Sequence, residues 1–269
     1  MATLRVHDST EYWKKTDLMV KPASYPIAVG YDVSSVDTIH RPLTLDLSEV
    51  CHEDRVYWAV RRAQDILLSS LALVALSPLL LVTYAAIWID SPGASPIFTQ
   101  QRVGRNGKLF KMYKFRTMCP DAEQKLKDLM ERNEKDGPVF KMKNDPRITR
   151  VGKFLRKTSI DELPQLFNVL KGEMSIVGPR PALWNQYDLI AERDKYGAND
   201  VTPGLTGWAQ VMGRDELEIE DKARYDGEYA QNISFAFDVK IFFMTIGSVL
   251  RHKGVVEGGT GEMKKEKKQ

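Results

Sequence analysis

The sequence predicts a small mixed α/β domain, mostly helical, held against a membrane by one apolar helix and by amphipathic helices along its surface. Three observations carry this. Residues 66–89 run for 24 positions without a charge, between Asp65 and Asp90. An Asn106-Gly107 turn separates two short strand-like runs within residues 96–118. Downstream, charged and apolar segments of helical character are punctuated by Pro and Gly.

The apolar run is long enough to reach across a bilayer, since about 20 residues cross a hydrocarbon core. A helix in a soluble core would keep a polar face, and this run has none. Ser77-Pro78 lies in its middle. Proline removes one backbone hydrogen bond, and the Ser77 hydroxyl can serve the carbonyl so freed. A kinked spanning helix and a re-entrant helix would both show these residues. The flanks discriminate better. Arg55, Arg61 and Arg62 precede the run, and Arg102, Arg105, Lys108, Lys111, Lys114 and Arg116 follow it. Basic residues favour the cytoplasmic side, so basic flanks at both ends favour entry and return on one side.

The other elements follow in order. Residues 1–55 read as a polar extension interrupted by Pro22, Pro26 and Pro42, with no apolar core of a signal peptide. Asn-Gly predicts a hairpin in residues 96–118. Residues 121–135 predict a charged helix that Asp136-Gly137-Pro138 stops. A basic cluster spans 147–157. Helices are expected at 163–170, 184–195 and 216–231, with a Pro/Gly-rich stretch at 203–213 and a strongly apolar segment at 237–250. Residues 56–254 form the domain, with the membrane helix at about 62–89, and the basic tail 255–269 is expected to be flexible.

Composition removes several classes. Lys and Arg total 39 against 36 Asp and Glu, a net charge of +3 that is too mild to argue for nucleic acid. Cys51 and Cys119 form no metal pattern with the scattered His7, His40, His52 and His252, which argues against zinc and for a reducing compartment. Gly104-Arg105-Asn106-Gly107-Lys108 lacks the spacing and the hydroxyl residue of a phosphate-binding P-loop, and no G-x-G-x-x-G occurs.

Chemistry concentrates in Arg156-Lys157-Thr158-Ser159-Ile160-Asp161-Glu162-Leu163-Pro164. One reading is structural: Ser159-x-x-Glu162 matches a capping box, and acidic residues suit a helix start. The other is functional. A helix N-terminus beside Arg and Lys is an anion site, an ionised aspartate can attack phosphorus, and a neighbouring glutamate can hold Mg²⁺. Phosphoryl transfer needs little beyond a placed nucleophile, a metal and cationic clamps. Gly178-Pro179-Arg180-Pro181 presents one arginine between two prolines, either an ordinary loop or a phosphate clamp. Tyr113-Lys114-Phe115-Arg116 alternates aromatic and basic residues, as a membrane-interface strand would. In the loop Pro203-Gly204-Leu205-Thr206-Gly207-Trp208-Ala209-Gln210, Trp208 can stack on a base or pack.

Taken together, these motifs resemble the bacterial sugar transferase family, the monotopic polyprenyl-phosphate phosphoglycosyl transferases. The residues that carry the resemblance begin with residues 61–78 and their Ser77-Pro78 step, Phe98-Thr99-Gln100-x-Arg102 and Tyr113-Lys114-Phe115-Arg116-Thr117-Met118. They continue through Asp145-Pro146-Arg147, the run Asp161-Glu162-Leu163-Pro164-Gln165-Leu166-Phe167-Asn168, residues 172–181 and residues 203–210. The resemblance implies a small monotopic catalytic domain, of exopolysaccharide type, with one re-entrant helix turning at Ser77-Pro78. It implies Asp161 as nucleophile, Glu162 as Mg²⁺ ligand, and Lys114, Arg156 and Arg180 as phosphate contacts. Trp208, Gln210 and Arg214 form the loop set aside for the nucleotide or sugar. The implied reaction moves a sugar-1-phosphate from a UDP-sugar to a polyprenyl (undecaprenyl) phosphate, with release of UMP, at the cytoplasmic face of the bacterial inner membrane. The implied partners are these two substrates and membrane lipids, not nucleic acid, and a homodimer stays open. The stretch 118–145 looks like hexose-transferring members. In two respects the chain departs from the family. About 55 residues precede the helix, unlike the shortest members, and the further membrane helices and soluble domain of long members do not occur. Two rival readings are a lipid phosphotransferase with carboxylates on several spanning helices, and a non-enzymatic membrane-anchored basic binding module.

Overall fold

The computed structural model describes residues 55–129, 145–213 and 217–250. The expected polar extension, most of the insert at 118–145, Arg214 and the basic tail lie outside the described residues.

Helix α1 (Arg55–Asp90) spans 36 residues and includes Pro78. Pro78 has no N–H for the Val74 carbonyl, four residues before it. Ser77 Oγ donates to that same carbonyl at 2.8 Å, so the helix continues through the step with its lone acceptor served. Burial divides the helix into two footholds. Arg61, Asp65 and Ser69 are buried at one end, and Thr83 and Ile87 near the other, with Ser91 just past the helix. Within each foothold the spacing is four residues, which keeps the buried residues on one face. Between the footholds that face stands off the body. Leu73, Ser77, Leu80, Leu81 and Tyr84 line a groove of about 610 Å³, closed on the far side by Tyr113, Phe115, Pro164 and Phe167. The outward side is apolar and open, with Val74 74 % and Ile89 75 % exposed. An apolar surface of this extent marks a lipid or partner contact rather than a water-facing helix.

The hairpin pairs β1 (Ile97–Val103) with β2 (Leu109–Phe115), Ile97 opposite Phe115 and Val103 opposite Leu109. Asn106 and Gly107 at its turn both take positive φ, as the Asn-Gly pair requires. Helix α2 (Ala122–Leu129) follows, then α3 (Arg150–Thr158), whose N-cap Thr149 accepts from Gly152 N–H. Gly152 has no room for a side chain: a Cβ there would meet the Thr117 carbonyl oxygen at 2.0 Å. That contact brings α3 hard against the end of β2. A single 3₁₀ turn (Ile160–Glu162) leads into α4 (Gln165–Lys171).

Next come β3 (Ser175–Val177), α5 (Tyr187–Asp194) and β4 (Gly204–Thr206), with β3 and β4 parallel. Helices α6 (Trp208–Met212), α7 (Ile219–Gln231) and α8 (Phe235–Leu250) complete the described chain. On α8, Phe235, Val239, Phe242, Phe243 and Ile246 are exposed at helical spacing while Ile241 is fully buried, which gives the amphipathic face expected of an interface helix.

The interior is a set of small clusters. Phe110 and Met112 of β2 meet Val169 and Met174, and Val177 meets Trp208, Tyr229 and Ile241. Ile87 of α1 packs with Phe115 and Leu155 at the second foothold. The first foothold is polar instead. Arg61 donates to the Val177 carbonyl at 2.6 Å and to the Tyr229 hydroxyl at 2.8 Å, and lies 3.4 Å from Asp238. Asp65 accepts from Ile176 N–H at 3.0 Å. Two charged side chains of the apolar helix thus satisfy the free edge of β3. Arg62 donates to the carbonyls of Val169 and Leu170, both at 2.5 Å, where α4 ends and unpaired acceptors need a cation.

Candidate active site

Asp161 and Glu162 sit on the 3₁₀ turn between α3 and α4. Ser159 ends α3 with a left-handed backbone, φ 56°, and makes no side-chain cap bond to the turn that follows. The capping-box reading therefore does not hold. The Glu162 carboxylate turns instead to two cations from distant segments. Lys114 Nζ of β2 lies 3.1 Å from Oε1, and Arg180 Nη2 lies 2.7 Å from the same oxygen. Arg180 Nη1 also reaches Oε2, at 3.5 Å. Burial alone would raise the Glu162 carboxyl, but the Arg180 and Lys114 charges outweigh it and hold the group well below the usual carboxylate range. A lowered value means these pairs are intact above the ordinary glutamate pKa and are lost as pH falls through the lowered one. Asp161, beside it, is buried.

The placement of Lys114 has a source that sequence reasoning passed over. Asn168 of α4 is fully buried among apolar neighbours. Its Oδ1 accepts from Tyr113 N–H at 3.0 Å, and its Nδ2 donates to the Lys111 carbonyl at 2.8 Å and to Glu173 at 2.7 Å. The amide copies a strand edge and registers β2 against α4, so Lys114 faces Glu162. An asparagine on the apolar side of a short helix was the available signal.

Arg156 is not brought to Glu162 by any direct hydrogen bond. Its Nε donates to Thr117 Oγ1 at 2.9 Å, on the last turn of α3. Trp208 is buried in the core: its Nε1 donates to Glu228 at 2.9 Å, and Phe237 meets its ring edge-on at 5.1 Å. Of stacking and packing, the structure has packing. Gln210 Nε2 donates to the Leu205 carbonyl at 3.1 Å, while its Oε1 is buried with no partner among the described residues. Asp145 and Arg147 form a buried two-point pair, Nη2 to Oδ2 at 2.6 Å, which fixes the turn entering α3.

The groove under α1 runs beside the turn that carries this site: Pro164, two residues after Glu162, and Tyr113 and Phe115, either side of Lys114, are part of its wall. Lys171 and Tyr113 stand at its rim, the ammonium 4.5 Å from the ring centroid.

A sequence model of bacterial sugar transferases matches residues 56–252. The chain belongs to the bacterial sugar transferase family. The chain is 43 % identical over 202 residues to the undecaprenyl-phosphate galactose phosphotransferase of Salmonella typhimurium, covering 72 % of this chain and 41 % of that protein. It is 43 % identical over 195 residues to the UDP-glucose:undecaprenyl-phosphate glucose-1-phosphate transferase of Escherichia coli, covering 70 % of this chain and 39 % of that one. The exopolysaccharide production protein ExoY of Sinorhizobium fredii is 39 % identical over 198 residues, with 72 % of this chain and 87 % of ExoY covered. The chain thus spans about two-fifths of the length of the first two relatives and most of ExoY.

Proposed function

We propose that this sugar transferase moves a hexose-1-phosphate from a UDP-hexose to undecaprenyl phosphate, as a first membrane step of exopolysaccharide or related glycoconjugate assembly. The observation that carries the reading is the convergence of Lys114 and Arg180 on the carboxylate next to Asp161, beside an apolar groove. The named relatives act in the same direction: the Salmonella protein is a galactose phosphotransferase and the Escherichia protein a glucose-1-phosphate transferase, both on undecaprenyl phosphate.

The proposed chemistry has two steps. An Asp161 carboxylate oxygen attacks the β-phosphorus of the UDP-sugar. The bond from that phosphorus to the oxygen bridging it to the α-phosphate breaks, and UMP leaves with the bond's electrons. A phosphate oxygen of the polyprenyl phosphate then attacks the same phosphorus and releases the Asp161 carboxylate. Lys114 and Arg180 move from Glu162 to the phosphoryl oxygens as charge builds there. The groove holds the first isoprene units, so the acceptor phosphate arrives from the membrane side.

Glu162, together with phosphate oxygens of the substrate, would hold Mg²⁺. The donor chemistry fits: Glu162 is held ionised on the same turn as buried Asp161, and one or two carboxylates plus phosphates is the environment that ion prefers. When bound, it supplies charge neutralisation on the diphosphate. UMP release, measured over a panel of UDP-sugars with undecaprenyl phosphate, should be greatest with UDP-glucose or UDP-galactose, should stop in EDTA and should return with Mg²⁺. Full activity in chelator removes the metal from this scheme.

The two footholds of α1 on one body support a re-entrant placement, both ends on the cytoplasmic face of the inner membrane. Cysteines introduced at Ala59 and at Ser95 should both react with an impermeant thiol reagent from the cytoplasmic side only. Labelling of either from the opposite side means that the helix spans.

A further inference from the structure

Every carbonyl from Pro179 to Ala182 is tied to a different donor. Pro179 O accepts from Gly204 N–H at 2.9 Å, and Ala182 O from Val103 N–H at 2.9 Å. Pro181 O accepts from Arg102 Nη1 at 3.1 Å, and Arg180 O from Arg193 Nη1 at 2.8 Å. Pro179 and Pro181 have no N–H to give, so the loop is located largely through these acceptors. Three of the four donors come from β1 and β4, which already border the loop. Arg193 is the exception. It stands on α5, and the other side of its guanidinium is committed to Asp226 of α7, with Nε at 2.9 Å and Nη2 at 2.5 Å from Oδ2. The Arg193 side chain is 5 % exposed and the Asp226 side chain 1 %.

A buried ion pair contributes little net stability relative to apolar residues of the same volume, because both charges lose water. This one does something an apolar pair cannot. The planar guanidinium spends two N–H groups on Asp226, which fixes its plane, and aims a third at the carbonyl of Arg180. The Arg180 side chain leaves from the same residue and ends 2.7 Å from Glu162. We propose that Arg193, held by Asp226, is a positioning residue that sets where the Arg180 clamp stands over the phosphoryl-transfer site. The proposal rests on the phosphoglycosyl transfer reading, in which Arg180 meets the transferring phosphoryl group.

The geometry dictates the choice of variant. Lysine at 193 keeps the charge beside Asp226 but has one small head group, which cannot face both Asp226 and the Arg180 carbonyl. Full-length Arg193→Lys in native-like membranes should keep its unfolding temperature near that of the unaltered protein. It should lose about tenfold or more in kcat, with a smaller change in KM for the UDP-sugar. Combined with Arg180→Ala, it should add less than about twofold to the loss that Arg180→Ala causes alone, because the group being positioned is already gone. Asp226→Asn, close in volume, should act in the same direction and couple to Arg180→Ala in the same way. Hydrogen–deuterium exchange gives a readout independent of turnover. Peptides covering 178–184 should exchange faster in both variants while α4 and β2 stay unchanged. Losses that multiply with Arg180→Ala, an unchanged kcat in both variants, or unaltered exchange at 178–184 would each overturn the positioning role. If the unaltered protein releases no UMP at all, the functional reading fails, and the exchange experiment still decides whether Arg193 locates this loop.

Discussion

Asp161→Asn is expected to lower UMP release by roughly six orders of magnitude, the scale seen when a covalent nucleophile is removed. The substitution keeps the side chain's volume at a buried position, and thermal unfolding of the variant is the control for the fold. The sharper result comes without acceptor lipid. Unaltered enzyme plus UDP-hexose should release up to one UMP per site and stop, and peptide mass spectrometry should place a hexose-phosphate on Asp161. Asp161→Asn should show neither. An adduct on another residue, or no UMP until undecaprenyl phosphate is added, would replace the two-step scheme by direct transfer.

Arg61→Ala should produce the largest loss of stability among these variants. The side chain is 9 % exposed and bonds the Val177 carbonyl, Ser175 and Tyr229 while pairing with Asp238. Removing it leaves the half-buried Asp238 carboxylate with only the Tyr57 and Tyr229 hydroxyls, and the Val177 carbonyl with only the Tyr229 hydroxyl at 3.4 Å; breaking such a pair typically costs about 3–5 kcal/mol. Thermal unfolding in nanodiscs measures it. The exposed pair Arg224–Asp221, with side chains 60 % and 47 % exposed, is the internal control: Arg224→Ala should change stability by less than about 1 kcal/mol. Equal shifts for the two variants would mean that Arg61 carries no special load.

What the sequence disclosed depended on distance along the chain. The apolar helix and the Asn106-Gly107 hairpin are local features, written in consecutive residues, and both form within the described residues, though the helix starts earlier than expected, at Arg55, and runs on through Ser77-Pro78 without ending there. Even the Ser77 hydroxyl finds the carbonyl that Pro78 abandons, because the two lie within one turn. The parallel pair β3–β4 was not legible. Each strand is three residues long, β4 lies in a stretch that reads as Pro/Gly loop, and both exist because each finds the other. Likewise α6 (Trp208–Met212) occupies what looked like a rigid loop. Within the site, the local pattern misled: Ser159-x-x-Glu162 has capping-box spacing, yet Ser159 turns left-handed and Glu162 faces away. Its true partners lie 48 and 18 residues away, beyond the reach of any spacing argument; the two prolines around Arg180 marked it as a possible phosphate clamp, but only the family resemblance gave Lys114 a phosphate role. Arg193, Asp226 and Asn168 escaped for a related reason. A buried polar residue in a helix looks the same in sequence as a solvated one until the helix's neighbours are known.

The groove beneath α1 is lined almost wholly by apolar side chains of the helix and of the body it stands on. On the proposed reading, an acceptor lipid slides in sideways with its tail still among its neighbours. Supply of that substrate is then counted per unit of membrane area, not per litre. Adding inert phospholipid should slow the second half-reaction as if the acceptor had been diluted, while adding buffer should leave it alone. The nucleotide sugar obeys the opposite accounting. A single site thus draws its two substrates from reservoirs of different dimension, and the rate-limiting partner can change with the composition of the bilayer alone.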